Sequence, residues 1–440
     1  MKIAVVGVGH VGLVTVACLA EWGHEVVGMD DDADRIAALT QGRMPFHEPD
    51  LDALVQAGVN AGHIRFTTDL AEAVDGSEAV FVCVGTPSLP GGGLNLTFVE
   101  AVGRNVATAA TSDLVLIEKS TVPANTGVRM RAVIDRELAR LGKDITIDVA
   151  SNPEFLREGT AVADTLHPDR IVYGTETVRS RDVLREIYAP LVDADDCPAV
   201  ETDVATAELI KHASNAFLAT KISFINAVAQ VCERVGADVT VVADGMGHDR
   251  RIGRAFLHAG IGYGGSCFPK DVDGFVHLAR ELGVDFTLLE EVRRINEMQR
   301  DVIVEKLRAE LWNLEQKTVA LLGAAFKPGT DDLREAPALA IARQLLDAGA
   351  TVRIWDPVAL PGVKEQLPDA VTCDDPIEAC REAHAAVVTT EWPEVIALSM
   401  AAVADALAYP IVIDGRNALD PEAARAAGLH YHGVGRPSPR

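Results

Sequence analysis

Aromatic side chains make up only 5% of this 440-residue chain, so the sequence advertises no platform on which nucleic-acid bases could stack. Cationic residues are scarce too: 40 Lys and Arg face 65 Asp and Glu, a formal net charge of −25. A field of that sign opposes phosphate backbones and anionic bilayers, and neither nucleic acid nor membrane is expected as a partner. Any anionic substrate must be met by a local cluster of Lys and Arg. Cysteine is sparse and scattered, at Cys18, Cys83, Cys197, Cys232, Cys267, Cys373 and Cys380. No C-x-x-C spacing and no Cys/His grouping of zinc-site type occurs, so no metal is expected. All but one of these cysteines read as buried, reduced thiols. Long apolar runs are missing as well: nothing reaches the ~18 uninterrupted residues of a membrane span. Lys2 and the apolar residues behind it imitate a secretion signal, but Gly7, Gly9, His10 and Gly12 break that run at turn spacing. A cytoplasmic protein is expected.

What is present is globular: 48% hydrophobic and 24% charged residues. The length predicts about three units of roughly 150 residues. Residues 3–8 read as a short buried strand, 11–22 as a helix and 25–30 as a second strand, the opening βαβ of a doubly wound sheet. Apolar runs at 79–84, 114–118 and 146–150 continue the strand series. The texture changes near 203. Residues 204–235 hold no internal Gly or Pro, and Ile210, Phe217, Phe224 and Val231 recur at helical spacing, which predicts one long helix. Further helix is expected at 270–282 and 285–312. At 317 the opening pattern returns: Lys317–Gly323 parallels Lys2–Gly7, and Gly349–Asp356 parallels Gly23–Asp30. The expected fold is therefore α/β, two Rossmann-like doubly wound domains (1–202 and 316–440) joined by a central all-helical domain (203–315). The turn after the second opening strand lacks the glycine triplet, so a second dinucleotide is not expected there.

Gly7-Val8-Gly9-His10-Val11-Gly12 is a G-x-G-x-x-G between a strand and a helix. Its first glycine permits the tight turn, its second lets a pyrophosphate approach, and its third lets helix and strand pack. Asp30 closes the second strand, where a carboxylate accepts bonds from ribose hydroxyls and repels a 2′-phosphate, favouring NAD over NADP. Arg35 nearby works against that preference. Cys83-Val84-Gly85-Thr86-Pro87 and Ser120-Thr121-Val122-Pro123 suit loops at the cofactor edge of the sheet, and suit ordinary strand-to-helix turns equally. Gly262-Tyr263-Gly264-Gly265-Ser266-Cys267-Phe268-Pro269-Lys270-Asp271 places a sulfur just before a helix start, where backbone N–H groups and Lys270 would stabilise a thiolate nucleophile. Its alternative is a buried structural cysteine beside a glycine turn. Lys211 and Asn215, four apart, share a helix face; on spacing alone they read as solvated. Glu154, just after a strand, reads by itself as a surface charge.

Taken together, these segments resemble the UDP-glucose/GDP-mannose dehydrogenase family nearly end to end. The likeness spans the glycine fingerprint, Val84–Pro87, Ser120–Pro123, Asn152–Gly159, Lys211–Asn226, Arg251–Gly253 and Gly264–Asp271. It continues through Phe326–Glu335 and Asp414–Asn417. The loop Leu89–Thr97 fits less well, since the family often carries acidic residues there.

The resemblance implies oxidation of C6 of a nucleotide sugar from alcohol to carboxylate, with two NAD used in turn. Cys267 would trap the aldehyde as a thiohemiacetal and then carry a thioester. Lys211 and Asn215 would stabilise the oxyanion, Glu154 would act as base for hydrolysis, and Asp271 and Thr121 would position water and the lysine. NAD would be held by Gly7, Val8, Gly9, His10, Val11, Gly12, Asp30, Arg35, Val84, Gly85, Thr86, Pro87, Ser120, Thr121, Glu158, Lys270 and Arg334. The sugar nucleotide would meet Glu154, Phe155, Leu156, Arg157, Glu158, Lys211, Asn215, Arg251, His258, Ile261, Gly262, Tyr263, Gly264, Phe326, Lys327 and Arg416. Lys211, Arg251, Lys327 and Arg416 would supply the local positive cluster. Phe217–Asn226 looks most like the UDP-glucose branch, which makes UDP-glucose the expected substrate and UDP-glucuronate the product. GDP-mannose, a UDP-N-acetylhexosamine, or a catalytically silent NAD- and UDP-sugar-binding regulator are the alternatives. The family plan also implies that Arg251 reaches the sugar of a second subunit, hence a homodimer or higher homo-oligomer built on the central helix.

Overall fold

In the opening strand, alternate residues point to opposite faces, and both faces are apolar. Ile3 and Val5 join a core with Leu13, Val14 and Ala17 of the following helix, whereas Ala4 and Val6 join a second core with Val102, Val106 and Met130. A strand buried on both faces is what a doubly wound sheet requires. The computed structural model describes residues 1–195 and 197–437. It consists of two units: Met1–Ser214 with Asp273–Leu278, and Asn215–Val272 with Ala279–Arg440.

The sheet of the first unit comprises β1 (Lys2–Val6), β2 (Glu25–Met29), β3 (Ile64–Thr67), β4 (Ala79–Val82), β5 (Leu114–Glu118), β6 (Ile147–Ser151), β7 (Ile171–Thr175) and β8 (Ala199–Thr202). Their order is β3-β2-β1-β4-β5-β6-β7-β8. Every pairing is parallel except β6 with β7, which is antiparallel. The strand order reverses between β1 and β4, and the crevice beyond their carboxyl ends is where such sheets bind ligands. The loops leaving those two strands begin at Gly7 and Cys83.

In the second unit, β9 (Thr318–Leu322), β10 (Thr351–Trp355), β11 (Val371–Cys373), β12 (Ala385–Val388), β13 (Ile411–Asp414) and β14 (His430–Gly433) are ordered β11-β10-β9-β12-β13-β14. All of its pairings are parallel. The repeated opening pattern thus folds as a second Rossmann-like sheet. Helix Thr287–Leu311 packs into the same core through Ile303, Val304 and Leu307.

The expected long helix is present as Val204–Val235, and the next two as Phe268–Glu281 and Thr287–Leu311. Six cysteines are buried and Cys267 is half-buried. Burial pushes the thiols of Cys18, Cys83 and Cys380 up to about 12 and raises those of Cys232 and Cys373. These five stay protonated at neutral pH and are poor nucleophiles. Among the described residues no helix is long and apolar enough to cross a membrane, and no group of His, Cys, Asp and Glu is arranged to hold a metal ion.

Candidate active site

The fingerprint behaves as its glycines require. Gly7 has φ +91°, and a Cβ there would lie 2.9 Å from the Cys83 backbone; a Cβ on Gly12 would run into the Gly7 carbonyl. On Gly9, by contrast, a Cβ would meet nothing within 4 Å among the described residues. The chain is tight where strand and helix meet and open where a pyrophosphate must enter, so the residues present fit a dinucleotide. Asp30 is buried, and its carboxylate accepts from the amides of Val8 (2.9 Å) and Asp32 (3.1 Å). Arg35 donates to both of its oxygens at 2.9 Å. The guanidinium that clouded the sequence-based preference is therefore neutralised by Asp30 itself.

The two flanking loops are tied to one another. Thr86 Oγ1 donates to the Thr121 carbonyl at 3.0 Å, and Ser120 Oγ donates to the carbonyls of Val82 (3.1 Å) and Val84 (2.7 Å). Gly85 is exposed and open. In the Leu89–Thr97 loop, Gly91 and Gly92 both have positive φ and close a turn, with Leu89 N bonded to the Gly93 carbonyl at 2.6 Å.

Glu154 is not a surface charge. It is buried, and Lys211 Nζ lies 2.8 Å from its Oε1, with 4% and 5% of the two side chains exposed. Its Oε2 accepts from the Leu156 amide at 2.9 Å. Lys211 also stands 5.4 Å from the Phe155 ring, whose face is covered by Arg170 at 3.8 Å. Neither residue of the Lys211–Glu154 pair is a solvated position, and the helix spacing could not have shown this. Glu158 is buried as well, whereas Arg157 is exposed and paired with Asp164 at 2.6 Å. A cavity of about 60 Å³ lies behind the Glu154–Leu156 segment, lined by Lys119, Asn152 and Tyr188 among others.

Glu48, a fully buried carboxylate between two prolines, carries no signal that sequence reasoning could use. It accepts from the amides of Gly159 (2.7 Å) and Ala161 (2.8 Å) and lies 2.9 Å from His10 Nε2. The fingerprint residue His10, stacked on Phe46 at 4.5 Å, is thereby joined to the segment that carries Glu158.

In the second unit, Cys267 stands at the N-terminus of helix Phe268–Glu281, its carbonyl accepting from the Asp271 amide at 2.8 Å. Ser266 Oγ is 3.4 Å from the sulfur. The helix N-terminal dipole favours a thiolate at this position. Lys270, expected to assist, directs its ammonium to Asp271 Oδ1 at 2.6 Å. The other oxygen of the buried Asp271 accepts from Asn215 Nδ2 at 2.6 Å. Asp271 thus orders both Lys270 and Asn215, one helical turn past Cys267.

The glycines before Cys267 let protein, not ligand, come close. A Cβ on Gly262 (φ +93°) would lie 2.6 Å from Asn296 Oδ1, and one on Gly265 would lie 2.7 Å from the Phe326 ring. Tyr263 and Asn296 exchange two bonds, at 2.8 and 3.0 Å. Ile261 is fully buried, and burial together with Arg254 lowers the pKa of half-buried His258. Arg416 donates to the carbonyls of Thr389 (2.9 Å), Gly262 (3.2 Å) and Phe326 (2.8 Å), and lies 3.3 Å from Glu391. Phe326 and Lys327 are half-buried, with Lys327 Nζ 5.5 Å from that ring. Arg334 is exposed and paired with Asp332 at 2.8 Å; Arg251 is 88% exposed and paired with Asp249 at 2.6 Å. Asp356, the counterpart of Asp30, is spent on four backbone amides and the Trp392 indole.

A Rossmann sheet with an open fingerprint glycine at its switch point and an acid at the end of the next strand defines a dinucleotide-binding protein. Residues 1–192 match the UDP-glucose/GDP-mannose dehydrogenase family, NAD binding domain; 205–298 match its central domain; 320–421 match its UDP binding domain. The chain belongs to this family and is an NAD-dependent oxidoreductase. UDP-glucose 6-dehydrogenase YwqF of Bacillus subtilis is 43% identical to it over 99% of this chain and 98% of its own length. UDP-glucose 6-dehydrogenase of Rhizobium meliloti is 43% identical over 99% and 100%. The structure of a UDP-glucose dehydrogenase from the hyperthermophilic archaeon Pyrobaculum islandicum superposes with a TM-score of 0.90 at 36% identity, covering 99% of this chain and 97% of that one.

Proposed function

We propose that this protein is a UDP-glucose 6-dehydrogenase that oxidises C6 twice, through a thiohemiacetal and then a thioester on Cys267. The mechanism is supported chiefly by the half-buried Cys267 at a helix N-terminus, with buried Asp271 one turn on holding Asn215. The substrate is supported by the full-length relatives that carry this name.

The fingerprint, Asp30 and the two flanking loops would hold NAD, which would supply the hydride acceptor for each oxidation. The chain's own residues do the rest. Lys211 stabilises the alkoxide formed as the C6 hydroxyl gives up its proton to water. The Cys267 thiolate adds to the resulting aldehyde, forming a C–S bond as the C=O double bond opens, and Asn215 holds the oxygen, which takes a proton from water to become the thiohemiacetal hydroxyl. In the second oxidation that hydroxyl gives its proton to water while its carbon gives up a hydride, leaving the thioester. Glu154 then removes a proton from water, whose oxygen bonds to the thioester carbon as the C–S bond breaks; the carboxylic acid so formed gives its proton to solvent, leaving carboxylate and free thiolate. Glu154–Glu158, His258, Ile261–Gly264 and the Phe326–Lys327 rim are assigned to the sugar nucleotide, with Arg416 ordering that rim through its carbonyls. Glu158, Lys270 and Arg334 are assigned to NAD.

The central stretch 203–315 is assigned to dimerisation between the NAD-binding (1–202) and UDP-sugar-binding (316–440) regions. Phe217, Phe224 and Val231 recur every seven residues on helix Val204–Val235, and all three are exposed. Arg251, also exposed, is assigned to the sugar of a second subunit. The protein is assigned to the cytoplasm, where thiols stay reduced.

The test is stoichiometry across a panel of UDP-glucose, GDP-mannose and UDP-N-acetylmannosamine. Two NADH per UDP-glucose, with no aldehyde released, are expected. One NADH with free aldehyde, or preference for another sugar, overturns the assignment.

A further inference from the structure

Glu118 closes β5 and is fully buried, yet neither of its oxygens meets a donor N–H or hydroxyl among the described residues. Its neighbour is another buried carboxyl, Glu208, on helix Val204–Val235. Glu208 is well supplied: Oε2 accepts from the Asn125 amide at 2.6 Å and Oε1 from the Gly127 amide at 2.8 Å. Those amides belong to the N-terminus of helix Thr126–Leu141, which follows the Ser120–Pro123 loop directly. Both acids face the same point. A Cβ on Gly127 would lie 3.4 Å from Glu118 Oε2 and 3.5 Å from Glu208 Oε1, and would strike Val204. One turn along the long helix, His212 Nε2 lies 2.8 Å from the Val122 carbonyl. The helix that carries Lys211 therefore grips the Thr121 loop on both sides.

Two adjoining carboxylates without a cation cannot both be ionised in a buried site. Glu208, with two amide donors, holds the charge. Glu118, with none, must hold a proton and donate it to Glu208.

We propose that Glu118 and Glu208 form an acid–carboxylate pair that shares one proton and acts as a positioning device, fixing the Ser120–Pro123 loop, with Thr121, against the helix of Lys211. This rests on the proposed function only in treating Thr121 and Lys211 as reaction residues.

The pair is tested first without substrate. Infrared spectra of the full-length protein at neutral pH, with and without ¹³C-glutamate, should show a protonated carboxyl band that is absent from Glu118→Gln. Identical carboxyl bands in the two proteins overturn the shared proton. Kinetics then test positioning. Glu118→Gln keeps a donor for Glu208 and should retain kcat within about threefold, whereas Glu118→Leu, with no donor, should lose about tenfold in kcat at little-changed KM for NAD. Glu118→Leu at wild-type kcat, or Glu118→Gln failing equally, overturns the positioning role. The infrared result stands by itself, so a wild-type protein inactive on every nucleotide sugar would defeat the proposed function and leave the carboxyl pair decided.

Discussion

Lys211 and Glu154 neutralise each other: the ammonium lies 2.8 Å from the carboxylate, and both are buried. The proposed chemistry gives them separate tasks, the cation to the first oxyanion and the carboxylate to the hydrolytic water. Deleting either side chain leaves an unpaired buried charge, at a cost of roughly 3–5 kcal/mol. Glu154→Gln avoids part of that cost, because the amide oxygen still accepts from Lys211 even though the ammonium loses its counter-charge. It cannot deprotonate water. This variant should fold, form the thioester and stall, so mass spectrometry after substrate addition should find an adduct on the Cys267 peptide. Wild-type turnover without any adduct would reassign the base.

Cys267→Ser separates covalent catalysis from simple dehydrogenation. A hydroxyl is hardly ionised at neutral pH, and an ester would hydrolyse slowly if it formed. Formation of UDP-glucuronate should fall by at least about a thousandfold, while calorimetry should show UDP-glucose and NAD binding retained. Wild-type product formation would refute the covalent route.

Much of this arrangement could be read before folding, and the rest had physical reasons to stay hidden. β1 and the long helix announce themselves because periodicity reports which face is buried. β8 does not, since Ala199–Thr202 is short and has no buried position. The reversal at β7 leaves no local mark either. Glu48 lies in a proline-bounded loop without periodicity, and its acceptor role is fixed by the Gly159 amide 111 residues away. Glu154 and Lys211, 57 residues apart in sequence, each look like solvent-facing charges until they pair. Spacing conveys what shares an element; burial of a charge depends on partners from other elements.

Asp30 and Arg35 make cofactor choice a two-residue property. Arg35 is held by both oxygens of Asp30, so Asp30→Ala removes the repulsion toward a 2′-phosphate and also releases a guanidinium able to bind one. The ratio of kcat/KM for NAD over NADP should drop at least about tenfold in Asp30→Ala, a change of roughly 1.4 kcal/mol. Asp30→Ala/Arg35→Ala should give back most of the NADP gain. Equal use of both cofactors by the wild type would show that Asp30 does not select.

The exposed seam of Phe217, Phe224 and Val231 should lie in a subunit contact. Sedimentation of Phe217→Asp/Phe224→Asp at micromolar concentration should show a shift toward monomer with circular dichroism unchanged. An unshifted oligomer would place the contact elsewhere.

The dependence of stability on pH tests the Glu118–Glu208 pair without substrate. Burial, then the charge of Glu208, holds the Glu118 carboxyl well above the ordinary value of 4.5. Burial also raises Glu208 to about 7, against the opposing pull of the amides that bond to it. Between these limits the folded chain keeps protons that the unfolded chain has already released. Stability must therefore fall as pH rises across that window. The pair's contribution is complete below about pH 4.5, where the unfolded carboxyls are also protonated; Glu208's share is lost as pH climbs through about 7, and Glu118's as pH climbs toward its own raised value. The net charge of −25 adds a general repulsion with the same sign, so the wild type alone is not diagnostic. Glu118→Gln removes one titration of the pair and little else. Urea midpoints measured from pH 5 to 8 should decline more steeply for the wild type than for Glu118→Gln, with the two curves diverging on the alkaline side. Parallel curves would mean that Glu118 titrates alike in the folded and unfolded chains, and the buried proton would have to be abandoned.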